Sequence, residues 1–293
     1  MILIDAMMLA HRCHAKMDFL TNDAGNPTGL EFGFLRTVES LQKKYPDAGT
    51  VALCWEGGRS ARRAYDPRYK ANRMPLEESV QERLRTLRQF ARMFYLDAAS
   101  ESFEADDAMF SLSREAGPHV VYTNDSDLLQ AVDDERNVTV VKSFKSKLYE
   151  WREADVRAKY GVRPADLPVY RAFVGDASDN LPGISRVSKA YVAALINWCR
   201  DVNPECAPEW IVEQIKTAEW PASTRAAVVE FVDSGRAREN YELMALHRIP
   251  VSSIKEDMRE DFAVACLTRW QIRTLRLCEQ FRTALAASMS EEF

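Results

Sequence analysis

The stretch Val120-Val121-Tyr122-Thr123-Asn124-Asp125-Ser126-Asp127 is a short apolar run that ends in a polar turn with two acids. A continuous apolar run of this length is typical of a strand that is covered on both faces in a parallel sheet. Similar runs occur at Ile2-Leu3-Ile4, at Val51-Ala52-Leu53-Cys54 and at residues 138–141. The four runs predict the strands of one central sheet.

Helical patterns lie between these runs. Phe34, Leu35, Val38 and Leu41 fall on one face of a helix, and helical spacing continues over a long stretch from about residue 77 to 94. A chain that alternates strand and helix in this way predicts an α/β fold, with a mainly parallel central sheet flanked by helices.

The second half of the chain has a different pattern. Turn signals at Arg163-Pro164, Leu181-Pro182-Gly183 and Asn203-Pro204 separate segments with helical spacing. We therefore divide the chain into an α/β unit at residues 1–165 and a helical region at residues 166–293.

The composition is that of an ordinary globular protein, with 293 residues of which 46% are hydrophobic. No apolar run approaches the roughly 18–20 residues that cross a bilayer, and the N-terminus lacks a charged leader, so we expect a cytoplasmic protein. The six cysteines have no zinc-ligand spacing and are expected to be reduced and mostly buried.

Charge is segregated along the chain. The net charge of −5 argues against a nucleic-acid partner, because phosphate binding relies on Lys and Arg. Residues 59–73, however, are strongly basic and contain a single acid, Asp66. This pattern indicates a polyanion held beside an acidic metal site. The basic residues are Arg59, Arg62, Arg63, Arg68, Lys70 and Arg73.

Three predicted strands each lead into acids. The carboxyl ends of strands in open α/β sheets are where active sites assemble, and two further acidic segments occur at residues 104–107 and 176–179. Carboxylate oxygens suit Mg²⁺ or Mn²⁺ and do not suit zinc. The candidate ligands are Asp5, Glu56, Glu104, Asp106, Asp107, Asp125, Asp127, Asp176 and Asp179.

Each acidic segment also has a simpler interpretation. Acids are common in solvated loops after strands, and residues 104–107 fit the start of a helix, where the dipole favours negative charge. Residues 175–180 fit a turn rich in Asp, Asn and Gly. Three acids in four residues nevertheless repel one another unless a cation compensates them.

In order, these segments resemble the flap endonuclease/5′–3′ exonuclease family, which includes bacteriophage enzymes and the nuclease domain attached to bacterial repair polymerases. The resemblance runs from Ile2 to about Leu195. The matching segments are Ile4-Asp5, residues 26–29 with 32–36, residues 65–73, residues 104–107, residues 123–127 and residues 174–180.

The resemblance implies a helical arch at about residues 57–95 and a helix-three-turn-helix DNA-binding motif at about residues 170–200. It also implies two adjacent Mg²⁺ sites, for which Mn²⁺ is an alternative ion. One site takes the acids from Asp5 to Asp107, and the other takes those from Asp125 to Asp179. Lys70, Arg73 and Arg12 would act on the phosphate. DNA would contact Phe32, Arg59, Arg62, Arg63, Lys70, Arg73, Gly183, Ser185, Arg186, Ser188 and Lys189.

The chain departs from the family pattern at several positions. Polar neighbours usual after the first aspartate are replaced by Ala6-Met7-Met8, and Glu56 stands where the family usually has aspartate. Arg186 and Ser188 lie near the positions of glycines in the family hairpin, so its K⁺ site is an open question.

The expected function is a structure-specific 5′ nuclease that hydrolyses DNA near the 5′ end of a duplex/single-strand junction by a two-metal mechanism. Its expected partners are DNA flaps, nicks and duplex ends, with RNA primer strands as a further candidate, in replication or repair. We expect a monomer in a bacterial or phage-infected cell. The alternatives are a PIN-type ribonuclease and a non-catalytic DNA-structure-binding protein on the same fold.

Overall fold

The computed structural model describes residues 1–57, 60–71, 74–204, 210–211, 214–217, 219, 221–283 and 285–286. A seven-stranded sheet forms its centre, in the order β6-β5-β4-β1-β2-β3-β9. The strands are β1 (Ile2–Asp5), β2 (Val51–Cys54), β3 (Leu96–Ala99), β4 (His119–Tyr122), β5 (Val138–Phe144), β6 (Lys147–Trp151) and β9 (Ser252–Ile254). The short strands β7 (Gly175–Asp176) and β8 (Leu181–Pro182) form a separate antiparallel pair.

The five inner strands are parallel, and only the two edges are antiparallel. β1 lies at the centre, paired with β2 on one side and β4 on the other, while β6 and β9 run antiparallel to β5 and β3. The predicted α/β class with a mainly parallel sheet is confirmed, as are its four predicted strands. The arch and the helix-three-turn-helix motif remain predictions.

The helices cover both faces of the sheet. They are α1 (Ala6–Met17), α2 (Gly29–Lys44), α3 (Ala61–Tyr65), α4 (Glu78–Ala91), α5 (Ala105–Ser113), α6 (Glu153–Tyr160), α7 (Leu167–Val174), α8 (Lys189–Val202), α9 (Ala222–Asp233), α10 (Arg236–Met244) and α11 (Glu260–Trp270). Ile2 and Ile4 of β1 pack with α1, α2, α4 and α11, whereas Leu3 packs with α5, α7 and α8 on the opposite face. This double burial is why Ile2, Leu3 and Ile4 are all apolar.

Three strands of the sheet were not predicted. In β3 the buried Asp97 interrupts the apolar run, and its carboxylate is held by Arg88 and Arg92 at 2.7 and 2.9 Å. β6 and β9 are edge strands whose side chains are largely exposed, so neither has a strong apolar signal.

The C-terminal part of the chain contributes to both core layers. α11 joins the core beside α4, and β9 extends the sheet, so residues beyond 166 are not confined to a separate helical layer. The five cysteines in the described ranges are buried, as expected. None of the helices in those ranges combines the length and apolar character that a membrane span requires.

Candidate active site

The order of the strands brings three of the candidate acids to the same end of the sheet. β2, β1 and β4 are adjacent and parallel, so Asp5, Glu56 and Asp125 leave their strands at the same end. α5, which begins directly after Glu104, lies against β1 and β2 and supplies Asp106. The candidate site therefore forms at the carboxyl end of the central strands, where α/β folds bind their ligands.

Asp5 is fixed by two hydrogen bonds at the end of β1. It is the N-cap of α1, because its Oδ1 accepts a hydrogen bond from the Met8 backbone N at 2.9 Å. Its Oδ2 accepts from the Thr123 hydroxyl at 3.1 Å. Burial raises the pKa of Asp5 to about 6, against the effect of these bonds, and the charges of Asp125 and Glu56 raise it further.

Two further carboxylates have raised pKa values for the same physical reason. Burial, followed by the charges of Asp125 and Asp5, holds the pKa of Asp106 well above its usual range. Burial and the Asp125 charge raise the pKa of Asp127 to about 7, although Arg171 opposes this shift. The site is thus rich in buried negative charge that the described side chains compensate only in part.

Asp127 and Asp176 are bridged by one arginine. Arg171 Nε lies 3.4 Å from Asp127 Oδ1, and its Nη1 lies 3.2 Å from Asp176 Oδ2. The Asp127 contact is an ion pair without hydrogen-bond geometry, and Asp127 Oδ1 is a buried acceptor with no hydrogen-bond partner in the described part of the chain. The nearby charges of Asp176 and Asp179 also raise the pKa of Asp127, so these acids form a second group.

The donor chemistry of the two groups fits a hard divalent cation. All candidate ligands are oxygens, and several of the carboxylates repel one another. Among the described residues, Asp127 Oδ1 has an ion-pair contact but no hydrogen-bond partner. Within residues 1–57, 60–71, 74–204 and the shorter described ranges, no three His, Cys, Asp or Glu side chains are already gathered around a metal position. A bound cation would therefore draw the carboxylates together.

Glu104 is compensated by a protein cation. Lys70 Nζ donates to its Oε2 at 2.9 Å, and Ser60 donates to Oε1 at 3.0 Å. Burial alone would raise the pKa of Glu104, but Lys70 and Arg62 outweigh it and hold the pKa below its usual value. Lys70 is itself buried and has a left-handed backbone with φ 54°, which is strained for a long side chain.

Asp107 is also paired with a cation of the protein, and both oxygens of its carboxylate accept hydrogen bonds. Arg62 Nη1 and Nη2 donate to its two oxygens at 2.5 and 2.8 Å, and His247 N donates to Oδ1 at 2.9 Å. Asp107 is fully buried. The structure thus separates adjacent acids, since Asp106 belongs to the uncompensated cluster and Asp107 is the partner of Arg62.

The other basic candidates differ in position. Arg63 is exposed and donates to the Lys70 carbonyl at 3.2 Å. Arg12 donates to the Tyr122 hydroxyl at the end of β4, beside the loop with Asp125. Arg59 and Arg73 lie outside the described residues.

The hairpin segment predicted to bind DNA has an unusual backbone. A Cβ on Gly183 would lie 2.1 Å from the Val174 carbonyl oxygen, so this close approach requires glycine. Arg186 has φ 64°, a left-handed conformation that favours glycine, and its side chain is exposed. Ser188 caps α8 by accepting from Tyr191 N at 3.2 Å, while Ser185 and Lys189 are exposed.

Phe32 lies on α2 at the edge of a large cavity. Its ring is partly exposed, and the Arg36 guanidinium lies 5.7 Å from the ring centroid. The cavity has a volume of about 1320 Å³ and is also lined by Tyr95 and Arg276.

Sequence reasoning missed two basic residues at the site. Arg171 lies in no motif, and its contacts with Asp127 and Asp176 depend on the tertiary fold. Lys142 Nζ donates to the Ser126 hydroxyl at 2.8 Å, between Asp125 and Asp127 in the chain. Burial lowers the pKa of Lys142 to about 8.

Comparisons with known proteins agree with this architecture. The family model described as 5′-3′ exonuclease, N-terminal resolvase-like domain, matches residues 1–161. DNA polymerase I of Caldicellulosiruptor bescii is 30% identical over 67% of this chain and 24% of that protein. A 5′-3′ exonuclease of Buchnera aphidicola is 24% identical over 67% of this chain and 69% of that protein.

A structural comparison supports the fold beyond the matched segment. The bacteriophage T5 flap endonuclease, crystallised with DNA and metal ions, superposes with a TM-score of 0.62 at 16% identity, covering 99% of this chain and 98% of that one. The chain spans about a quarter of the length of its polymerase relatives. The resemblance predicted from the sequence is confirmed.

Proposed function

The chain belongs to the 5′-3′ exonuclease family, and from this premise we propose that it is a structure-specific 5′ nuclease. It hydrolyses DNA phosphodiester bonds near the 5′ end, at junctions between duplex and single strand, and requires divalent metal ions. The single observation that carries this proposal is the convergence of mutually repelling carboxylates at the ends of β1 and β4 and at the start of α5. Such a cluster is costly for a protein that does not bind a cation.

Two Mg²⁺ ions, or Mn²⁺ in their place, are the proposed cofactors. The first would be held by Asp5, Glu56, Glu104 and Asp106, and the second by the group from Asp125 to Asp179. When bound, the pair supplies activation of the attacking water and stabilisation of charge on the phosphate oxygens. We assign Asp107 to the support of Arg62 and not to either ion, because both of its oxygens are occupied.

The proposed phosphate contacts come from the base of the arch. Lys70 Nζ is bonded to Glu104 and so lies beside the acidic cluster, where its ammonium can turn to a phosphate oxygen once a metal compensates Glu104. The strained backbone at Lys70 supports a functional position, since strain of this kind concentrates at active sites. Arg12 and Arg73 are proposed to neutralise further phosphate charge.

The exposed basic residues are proposed to hold the DNA. Arg63 lies on the arch segment, and Ser185, Arg186 and Lys189 lie on the exposed turn before α8. Phe32, with its partly exposed ring, is proposed to stack on a base at the bent junction. RNA primer strands are a further proposed substrate class, and the proposed oligomeric state is a monomer. Arg186 lies near the position of a glycine in the family hairpin that supports a K⁺ ion.

The test is cleavage of 5′-labelled flap and nicked duplex DNA, with an RNA flap as comparison, in Mg²⁺ and in EDTA. Wild type and Asp125→Asn are compared with Asp134→Asn, a control in which a half-exposed acid far from the cluster loses its charge. We expect Mg²⁺-dependent cleavage near the junction that only Asp125→Asn abolishes. Binding without cleavage would instead support the non-catalytic alternative, and preference for RNA would support the PIN-type alternative.

A further inference from the structure

Residues 240–249, which we call the strap, run from the end of α10 into the extended chain before β9. The sequence here reads Asn240-Tyr241-Glu242-Leu243-Met244-Ala245-Leu246-His247-Arg248-Ile249 and carries no motif of catalysis or DNA binding. The segment lies outside the part of the chain that the family model matches. Its backbone nevertheless contacts the elements that carry the candidate metal ligands.

The strap is joined to the arch base and to α5. Arg62 Nε donates to the Leu243 carbonyl at 2.8 Å, and its Nη2 donates to the Ala245 carbonyl at 2.7 Å. The same guanidinium holds Asp107 of α5, and His247 N donates to that carboxylate. Arg62 is buried, so these bonds are shielded from water and strong. They link the strap to the helix that carries Asp106.

A second contact fixes the loop after β4. The Gln130 side chain donates from Nε2 to the Met244 carbonyl at 2.9 Å and accepts at Oε1 from Leu246 N at 3.1 Å. Gln130 is buried and lies three residues after Asp127, in the 3-10 helix Asp127–Ala131. Its amide pairs with the strap as a neighbouring strand would, and so fixes the distance between the strap and the loop.

A third contact fixes the short hairpin of β7 and β8. Asn240 Nδ2 donates to the Ala172 carbonyl at 2.9 Å and to the Pro182 carbonyl at 3.1 Å. Asn240 is 3% exposed, and the two carbonyls flank the segment with Asp176 and Asp179. One side chain thus joins the end of α7 to the far strand of the hairpin.

We propose that the strap is a positioning element that holds three acid-bearing segments in register for metal binding, with Arg62, Gln130 and Asn240 as its positioning residues. The inference rests on the proposed function. The carboxylates come from distant parts of the sequence and repel one another, so the cluster opens unless something neutral and buried holds it. The strap does this with backbone carbonyls and amides and with the Asn240 side-chain amide, none of which adds charge to the site.

The experiment measures metal binding without turnover, by calorimetric titration of Mn²⁺ into the full chain in the absence of DNA. Asn240→Leu and Gln130→Met remove the strap contacts with little change in volume. Asn197→Leu is the matched control, because Asn197 Nδ2 also donates to a carbonyl, that of Gly161 at 2.8 Å, on the outer side of α8. Circular dichroism and thermal melting define a temperature at which each chain is folded.

We expect both strap variants to bind Mn²⁺ about 10–100-fold more weakly than wild type, as loss of an outer-shell contact does elsewhere, and the control to bind as wild type. Saturating Mn²⁺ should restore much of the cleavage rate of the strap variants. If Asn240→Leu does not fold, the result with Gln130→Met decides. If a folded strap variant binds Mn²⁺ with wild-type affinity, the proposed positioning role of the strap is wrong. If the wild-type chain binds no Mn²⁺, the proposed function itself is wrong.

Discussion

Asp5→Asn should stabilise the metal-free protein, even though it removes a candidate metal ligand. The asparagine keeps an oxygen for the Met8 amide and can donate to the Thr123 hydroxyl, so both contacts of the native side chain survive. Only the charge is lost. Burial and neighbouring acids raise the pKa of Asp5 to about 6, so its ionised form is disfavoured in the folded state.

The sign follows from the two protonation states. Asp5 keeps a proton in the folded chain that the unfolded chain releases above about pH 4. The contribution of the protonated Asp5 carboxyl to the free energy of unfolding is therefore fully present below that pH. It is lost as the pH rises through about 6, where the folded state ionises as well. Ionisation of Asp5 therefore lowers the free energy of unfolding by on the order of 3 kcal/mol at about pH 7.5, and by roughly half of that at about pH 5.

Urea unfolding in EDTA at these two pH values measures the effect. Asp5→Asn should exceed wild type by on the order of 3 kcal/mol at about pH 7.5 and by about half as much at about pH 5. Asp134→Asn, which changes an exposed acid, should match wild type at both. Saturating Mg²⁺ should then stabilise wild type more than the variant. A variant that is no more stable than wild type in EDTA at either pH would refute the account of buried charge at Asp5.

Three further results are expected. Lys70→Met should slow cleavage but tighten Mn²⁺ binding several-fold in calorimetry, because Glu104 loses the ammonium group that competes with the ion. Unchanged or weaker Mn²⁺ binding would contradict this competition. Arg83→Met should lower the free energy of unfolding by about 3–5 kcal/mol in urea, because the buried Glu31 carboxylate loses a bidentate partner at 2.8 and 2.7 Å; a loss below about 1 kcal/mol contradicts it. Arg186→Gly should raise the unfolding free energy by about 1 kcal/mol, because glycine accepts φ 64° without strain, while weakening DNA binding in a filter assay; lower stability contradicts the strain argument.

The sequence predicts this fold well where strands are buried on both faces, because the runs at residues 2–4 of β1, 51–54 of β2 and 120–122 of β4 must then be apolar. It fails for β3, where Asp97 is buried but bound by two arginines that precede it by several residues. An acid in a strand contradicts the apolar pattern unless its partners are known. Pairing of that kind depends on the tertiary fold and has no periodicity of its own.

The acids at residues 104–107 show the same limit at the site. From the sequence, Glu104, Asp106 and Asp107 are equivalent candidates, because spacing cannot tell which carboxylate faces a cation supplied by the protein. The fold places Asp107 against Arg62, Glu104 against Lys70 and Asp106 against other acids. These three environments follow from the contacts that α3 and Lys70 make with the start of α5.

The strap explains how such different environments can coexist within four residues. A cluster of like charges is stable only if its repulsion is opposed locally, and the chain opposes it with protein cations and with the neutral backbone of the strap. Arg62 takes part in both, since it compensates Asp107 and donates to the strap carbonyls. Asp106 faces the like charges of Asp125 and Asp5, which the nearby Lys70 charge opposes only in part. On the proposal made above, a frame of buried amides contributes to metal binding as the carboxylates do, although it carries no acidic residue that a motif would include.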